Sequence, residues 1–327
     1  MLRYFFVTLA AVVLIAAAVT AEDGDGGYAG SFLQVPIGAR PTAMGGAYIG
    51  VSNDGAGALF NPAGLANLQN RLFATSYRVM QLDRKLGYIT AIFPIQNQAT
   101  LGVHWLYAGS GSVTMRDFNG RPLDAEFSQN NHAFAVLFAK RFEKFFSFGI
   151  KLNYYHATIP EVTASSIGFD CGFMLYVDEL LDREKREEFP IKNIQAGLTI
   201  KNLGMKYPWN SEKFNNVYRG DSRGFEQDDK VPVEIGLGGS ARALKSKLLL
   251  AADVVKNEEQ GAVFRAGTEF IVTSDFVVRG GYGDKRFTAG TGYVFKFGKQ
   301  LLAIDYAFST DKADEGSEHI FSFDLLF

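Results

Sequence analysis

From about residue 72 onward the chain alternates apolar and polar positions in short runs. Leu302, Ile304, Tyr306 and Phe308 share one face of a run whose other face carries Ala303, Asp305 and Ala307. Phe148, Ile150, Leu152 and Tyr154 oppose Gly149, Lys151 and Asn153 in the same way. The pattern recurs with Ile167, Phe169, Cys171, Phe173 and Leu175 against Gly168, Asp170 and Gly172, and with Phe276, Val278 and Tyr282 against Val277, Arg279 and Gly281. A period of two places successive side chains on opposite faces of a strand. Fourteen such segments can be marked, beginning near Leu72, Lys85, Ala99, His132, Phe146, Ser165, Lys192, Pro232, Lys247, Ala262, Phe276, Phe287, Gln300 and His319. Runs of about ten alternating residues closed by turn residues are the signature of an outer-membrane barrel, and fourteen is an even number, as such barrels require. The fold class expected is all-β: a transmembrane antiparallel β-barrel of about 14 strands.

Connection lengths support one orientation. With the N-terminus periplasmic, the short links at Pro94–Gln98, Phe142–Phe145, Thr273–Asp275 and Gly298–Gln300 fall inside, and the long ones at Gly109–Asn131, Asn202–Val231 and Thr310–Glu318 fall outside. Asp178–Pro190 is periplasmic in this scheme yet long and charged, and it reads as a short exposed helix at the rim, ended by Pro190. In the phase that points apolar residues outward, Lys151, Asp170, Lys201, Glu234, Asp253, Arg265, Glu269, Arg279, Asp305 and Asp324 point inward. Of these, Arg265, Glu269, Arg279 and Asp305 are the candidate lumen charges. A charge facing lipid at mid-depth costs up to about 4 kcal/mol, which favours this phase. Such a lumen is either a network bracing the wall or a polar transit path, and spacing does not separate the two.

One stretch before the strands has neither period. Gly38–Leu68 is rich in Gly and Ala and carries only Arg40 and Asp54 as charges. At its centre Asn61, Pro62, Ala63 and Gly64 suit a type I turn, with Asn bonding back to the backbone and Pro presetting φ. So little side-chain bulk suits a segment lying close against other backbone, as a plug within a confined space does. Before it, Arg3 and the apolar run Tyr4–Ala18 read as a secretory signal with small residues Val19-Thr20-Ala21 before the cut. The organisation expected is a signal peptide at 1–21, a leader at 22–37, a lumenal segment at 38–70 and the barrel at 71–327.

Composition agrees with strands: 29 Phe, 14 Tyr and 35 Gly stand against 9 Pro and 6 Met in 327 residues. A net charge of -2 argues against nucleic acid as a partner. A single cysteine, Cys171, rules out an internal disulfide and a Cys-rich zinc site. Gly220-Asp221-Ser222-Arg223-Gly224 matches G-x-S-x-G, but it falls in the longest loop without the strand and helix the nucleophile elbow needs. The histidines His104, His132, His156 and His319 form no H-x-x-x-H pair. No enzyme activity, catalytic residue, cofactor or metal is expected. The C-terminal run HIFSFDLLF puts Phe323, Leu325 and the terminal Phe327 on one face, which resembles the signal read by barrel-assembly machinery.

Within Gly38–Leu68, Gly38-Ala39-Arg40, Met44-Gly45-Gly46-Ala47, Asp54 and Asn61-Pro62-Ala63-Gly64-Leu65 resemble, in order and spacing, the N-terminal signature of the PorV/PorQ family. These are outer-membrane barrels of the larger FadL-like fatty-acid-transporter superfamily. Lys201-Asn202-Leu203-Gly204, Arg265-Ala266-Gly267-Thr268-Glu269 and Phe276–Tyr282 resemble later family segments. The resemblance implies a fourteen-stranded barrel with an N-terminal hatch folded into the lumen. Asn61, Pro62, Ala63 and Gly64 would form the hatch turn, and Gly38, Arg40, Gly45, Gly46 and Asp54 its packing. The function it implies is passage of hydrophobic or amphipathic small molecules past the hatch; the alternative is an outer-membrane component of a protein secretion system, a type IX-like shuttle or scaffold. The expected surroundings are outer-membrane lipid and barrel-assembly machinery, with a hydrophobic small-molecule ligand or secretion-system proteins as partners.

Overall fold

A computed structural model of the chain describes residues 28–95, 98–117, 119–159, 161–180, 190–219, 223–310 and 316–327. The expected signal peptide, residues 22–27 of the leader, Gly220–Ser222 of the G-x-S-x-G string and residues 181–189 of the charged connection lie outside the described residues.

The alternating segments close into a barrel of fourteen antiparallel strands. Its wall begins with β1 (Leu72–Val79), β2 (Lys85–Ile95) and β3 (Ala99–Gly109). A first excursion forms the hairpin β4 (Val113–Arg116) and β5 (Pro122–Phe127). The wall resumes with β6 (Asn130–Phe142), β7 (Phe146–Ile159), β8 (Val162–Tyr176) and β9 (Lys192–Leu203). A second hairpin, β10 (Lys206–Asn210) with β11 (Glu226–Lys230), encloses a helix at Glu212–Arg219. The wall then runs through β12 (Glu234–Ala243), β13 (Leu248–Asn257), β14 (Val263–Ile271), β15 (Phe276–Gly283), β16 (Arg286–Phe297), β17 (Gln300–Thr310) and β18 (Ser317–Leu326). β18 closes on β1, with Leu72 opposite Leu326 and Val79 opposite His319. All fourteen expected segments are wall strands; the largest differences are at β6, β8 and β18, which start two or three residues earlier than the alternation indicates, and at β12, which starts two residues later.

The wall is apolar outside and polar inside. Phe73, Phe93, Phe134, Ile167, Leu237, Tyr293 and Phe323 are exposed on the outer face, while Lys151, Asp170, Glu234, Asp253, Glu269 and Asp305 are buried. A soluble sandwich would do the reverse, and a continuous exposed apolar belt marks a surface that meets lipid. Phe321, Phe323 and Phe327 at the C-terminus are exposed and belong to this belt, with Leu325 beside them, whereas Ser322 and Asp324 face in.

Residues 28–68 run inside the barrel as short pieces of 3-10 and α-helix: Ser31–Gln34, Ala39–Ala43, Gly57–Phe60 and Pro62–Asn67. Ile37, Met44, Tyr48, Val51 and Phe60 form the interior core together with inward residues such as Leu86, Tyr88, Leu106 and Tyr155. The packed chain starts earlier than residue 38, because Ala29, Phe32, Leu33 and Val35 rest on the same core. Asp178 differs from its expected place on an exposed rim helix. It is buried, at the second position of a 3-10 turn (Val177–Leu180), and its carboxylate accepts the amides of Asn193 and Ile194, so it fixes the start of β9.

Candidate functional site: the occupied lumen

The lumenal chain is fastened to the wall by side chains on β7, β12, β13, β14, β16 and β18. Ser322 accepts the amide of Ala39 at 2.7 Å. Thr288 accepts the amide of Gly45 at 3.0 Å and donates to the carbonyl of Ala43 at 3.1 Å. One oxygen of Asp253 accepts the amides of Tyr48 and Ile49 at 2.6 and 2.8 Å. Ser240 donates to Gly50 O, Lys151 to Ala58 O and Ser147 to Ala63 O at 2.7, 3.2 and 2.8 Å. Asp324 accepts the amide of Gly55 at 3.3 Å. Irregular backbone in a barrel has no ladder of its own, and these side chains satisfy amides and carbonyls that would otherwise be buried unpaired.

The turn at Asn61 shows why the residue types matter. Its Oδ1 accepts the amide of Ala63 at 3.1 Å and so caps the helix Pro62–Asn67, with Pro62 at the first position where no amide is needed. Its Nδ2 donates to Ile49 O and to Phe173 O on β8 at 3.1 and 3.0 Å. The carbonyl of Asn61 accepts the amide of Gly64 at 3.1 Å, so the expected turn continues as about two turns of 3-10 helix. Close backbone approach decides the glycines. A Cβ on Gly45, where φ is +65°, would lie 2.6 Å from the backbone N and O of Tyr282, and one on Gly149 of the wall would lie 2.5 Å from Ala63 N.

The charges of the segment and of the wall meet in one chain of ion pairs. Asp54 pairs with Arg40 at 3.1 Å, Arg40 with Glu269 at 2.8 Å, Glu269 with Arg279 at 2.8 Å and Arg279 with Asp305 at 2.6 Å. Asp54 also accepts from the Tyr48 hydroxyl, and Arg40 donates to that oxygen. Burial works against the charge of Arg40, but Glu269, Tyr48 and Asp54 outweigh it and raise its pKa well above the ordinary value. Burial raises the Tyr48 phenol likewise, keeping it a neutral donor. Of the four candidate lumen charges, Glu269, Arg279 and Asp305 join this chain; Arg265 is buried but takes no part in it. Gly38 and Gly46, both at positive φ, flank the helix Ala39–Ala43: Gly38 is its N-cap, and the amide of Gly46 donates back to Pro41 O at 2.9 Å.

Some fasteners escaped sequence reasoning. Ser147, Ser240, Thr288 and Ser322 lie on the inward phase of their strands, so the alternation that placed the charges also placed these hydroxyls. Arg78 and Glu318 form a buried pair between β1 and β18, missed because β18 starts before His319. The histidines serve as wall residues: His104 bonds Thr90 at 2.6 Å, and His319 bonds Tyr306 at 2.8 Å. His132 and His156 face each other across β6 and β7.

Above the segment, at the end of the barrel with the longest connections, lies a mouth cavity of about 1040 Å³. Residues 28–32, Gln34 and Val35 form its floor, and its walls include Arg84, Lys85, Tyr207, Trp209, Asp228, Arg265 and Arg286. Beneath that floor a space of about 40 Å³ remains, lined by Phe32–Ile37, Phe60, Leu106, Lys151, Lys201 and Arg265 among others.

Solved structures share the barrel fold. The Pseudomonas putida toluene transporter TodX matches with a TM-score of 0.56 and 12% identity, over 88% of this chain and 95% of that one. The chain has the fold of these barrels. The Ralstonia pickettii toluene transporter TbuX matches with a TM-score of 0.57, 13% identity, and coverage of 89% and 97%. A Pseudomonas aeruginosa FadL homologue gives 0.56, 12%, and coverage of 87% and 97%. At such identity the likeness is one of fold. No protein-family model and no curated protein matches the chain.

Proposed function

We propose that this protein is an outer-membrane barrel that passes hydrophobic or amphipathic small molecules through a lumen closed by an N-terminal hatch. The observation that carries this reading is the unequal hold on the lumenal chain. From residue 36 to residue 66 the chain is tied to the wall by polar side chains, beginning with Arg78 of β1, which donates to Pro36 O, whereas residues 29–35 are at most half-buried and rest on the core through Ala29, Phe32, Leu33 and Val35. The large mouth cavity stops at this weaker part. Displacing residues 28–35 would join the mouth to the space below with the fastened part still in place. The shared fold of barrels described as toluene transporters adds support, as do the apolar belt and the C-terminal Phe323, Leu325 and Phe327, which we assign to lipid contact and assembly.

Proteoliposomes carrying the full chain test this reading. They should take up small uncharged aromatic or aliphatic solutes faster than empty vesicles, and deleting residues 28–35 should increase the rate. Equal uptake with and without the protein would remove the proposal. A secretion-component reading has one observation in its favour: the two hairpins beyond the mouth present Val113, Leu123 and Phe225 to solvent. Crosslinking from Leu123 and Phe225 in cells should then recover secretion proteins, and recovery of the barrel alone would dismiss it.

A further inference from the structure

On the outer face of the wall, one stretch of the apolar belt carries a cation. Lys140 lies on the outward phase of β6 between Phe138 and Phe142, two residues before the strand ends at the side with the short connections. It stands directly opposite Phe148 of β7, and its Nζ sits 5.3 Å from the centre of the Phe142 ring. The rings around it form a continuous patch. Centre to centre, Phe142 and Phe146 are 6.3 Å apart, Phe146 and Phe173 6.1 Å, and Phe173 and Phe148 5.1 Å. The turn that follows β6 carries Lys144 and Phe145, both exposed. Its backbone is fixed, because the Lys144 carbonyl accepts from Arg141. Arg141 in turn donates to Asn67 of the lumenal chain at 2.9 Å and lies over the Tyr176 ring at 4.2 Å.

Among the described residues no carboxylate pairs with either lysine, and Glu143, the nearest acid in sequence, forms no ion pair. At the opposite end of the barrel Lys206, Lys213 and Lys230 lie 2.5, 2.5 and 2.9 Å from Asp228, Glu161 and Glu258. A lysine in free water needs no such partner. Lys140 differs, because its stem lies on rings that face lipid, and its ammonium reaches a polar medium only by extending toward the head groups. A phosphate at that height is a counterion already in place. Contact with the face of Phe142 attracts the ammonium without neutralising it, so its charge stays available for an anion. Aromatic rings and lysines at the edge of a hydrocarbon belt are also the groups that anchor a membrane protein at head-group depth.

We propose that Lys140 and Lys144 bind the phosphate of an anionic phospholipid whose acyl chains lie along Phe146, Phe148 and Phe173. This rests on reading the chain as a membrane barrel and not on the passage of any solute. The bound lipid would hold the turn between β6 and β7 at the membrane surface, on the outside of the wall from the point where Arg141 meets the lumenal chain.

Native mass spectrometry of the full chain in detergent tests the site, with phosphatidylglycerol, phosphatidylcholine and a soluble muropeptide as probes. The two lipids share a phosphate and differ in net charge, and phosphatidylglycerol should bind more tightly. Lys140→Gln with Lys144→Gln should weaken phosphatidylglycerol by about tenfold or more, as expected for losing charge-assisted hydrogen bonds, and leave phosphatidylcholine unchanged. Lys256→Gln removes the same kind of charge from the outer face at the other end of β13 and should change neither lipid. Equal binding of the two lipids by the wild-type protein would overturn the assignment. So would phosphatidylglycerol binding that ignores the double variant or falls as much with Lys256→Gln. The first comparison needs no variant and decides the matter if the double variant does not fold. A muropeptide that displaces phosphatidylglycerol and binds more tightly would give the lysines to the cell wall and also overturn the lipid assignment. Solute flux, measured separately, keeps the two claims apart: lysine-dependent lipid binding without flux retains this site and removes the passage. Flux with lipid binding indifferent to the lysines does the opposite.

Discussion

Residues 36–66 and residues 29–35 share one lumen, but different forces hold them. The deeper stretch packs Met44, Tyr48 and Phe60 into the core, and the wall also grips its backbone: Ser322, Thr288, Asp253, Ser240, Lys151 and Ser147 each take an amide or a carbonyl. The shallower stretch offers Phe32, Leu33 and Val35, which lie on the core without being enclosed by it. Apolar contact has no preferred direction and is lost gradually as a segment slides, whereas a buried hydrogen bond must be broken outright and leaves two unsatisfied groups. A barrel that must stay sealed yet admit a solute can therefore divide the work, with a fixed stopper below and a yielding cover above.

Substitutions at the deep end should show the larger effects. Glu269→Ala leaves Arg40 and Arg279 buried without their shared carboxylate and should cost about 3–5 kcal/mol in denaturant unfolding of the detergent-solubilised protein. A loss below about 1 kcal/mol, the range of an exposed ion pair, would mean that the ion-pair chain does not brace the segment. Asp253→Ala strips the acceptor from Tyr48 and Ile49 and should cost about 1–3 kcal/mol for each amide left dry, read from the same unfolding curve. Asn61→Ala removes a helix cap and should lower stability by about 0.5–2 kcal/mol, more if the bond to Phe173 O is not replaced by water. At the shallow end, Phe32→Ala should change stability by less than about 1 kcal/mol, because the ring is only partly buried, yet raise solute flux. An unfolding penalty for Phe32→Ala equal to that for Glu269→Ala would erase the distinction between the two regions.

The wall was legible in the sequence because its constraint is local. Alternation over ten residues sets the phase of a strand, and a single wrong step would expose Lys151 or Asp253 to lipid, so the inward charges could be named from spacing. The lumenal segment was legible only as an anomaly. Its helices at Ala39–Ala43 and Gly57–Phe60 are about one turn long and are held by distant groups: the first by Glu269 and Ser322, more than two hundred residues away in sequence, the second by Lys151, 93 residues away. Asn61 was an exception, since a capping side chain followed by Pro62 is a local device. That Arg265 stays out of the ion-pair chain while Arg279 joins it follows from cross-strand register, because Arg279 sits opposite Glu269 and Arg265 opposite Gly283. No single-strand pattern carries that information.

The division into stopper and cover is tested most directly by locking each in turn with an engineered disulfide, in a Cys171→Ala background, and measuring solute flux in proteoliposomes. Ala39→Cys with Ser322→Cys fastens the deep stretch, where the amide of residue 39 lies 2.7 Å from the side chain of residue 322. Gly30→Cys with Val231→Cys fastens the shallow one, where a Cβ at residue 30 would lie 2.9 Å from Val231 Cγ1. The account predicts that oxidation of the deep pair leaves flux at the reduced level, and that oxidation of the shallow pair stops it until reductant is added. Flux that stops with the deep lock and continues through the shallow one would contradict it.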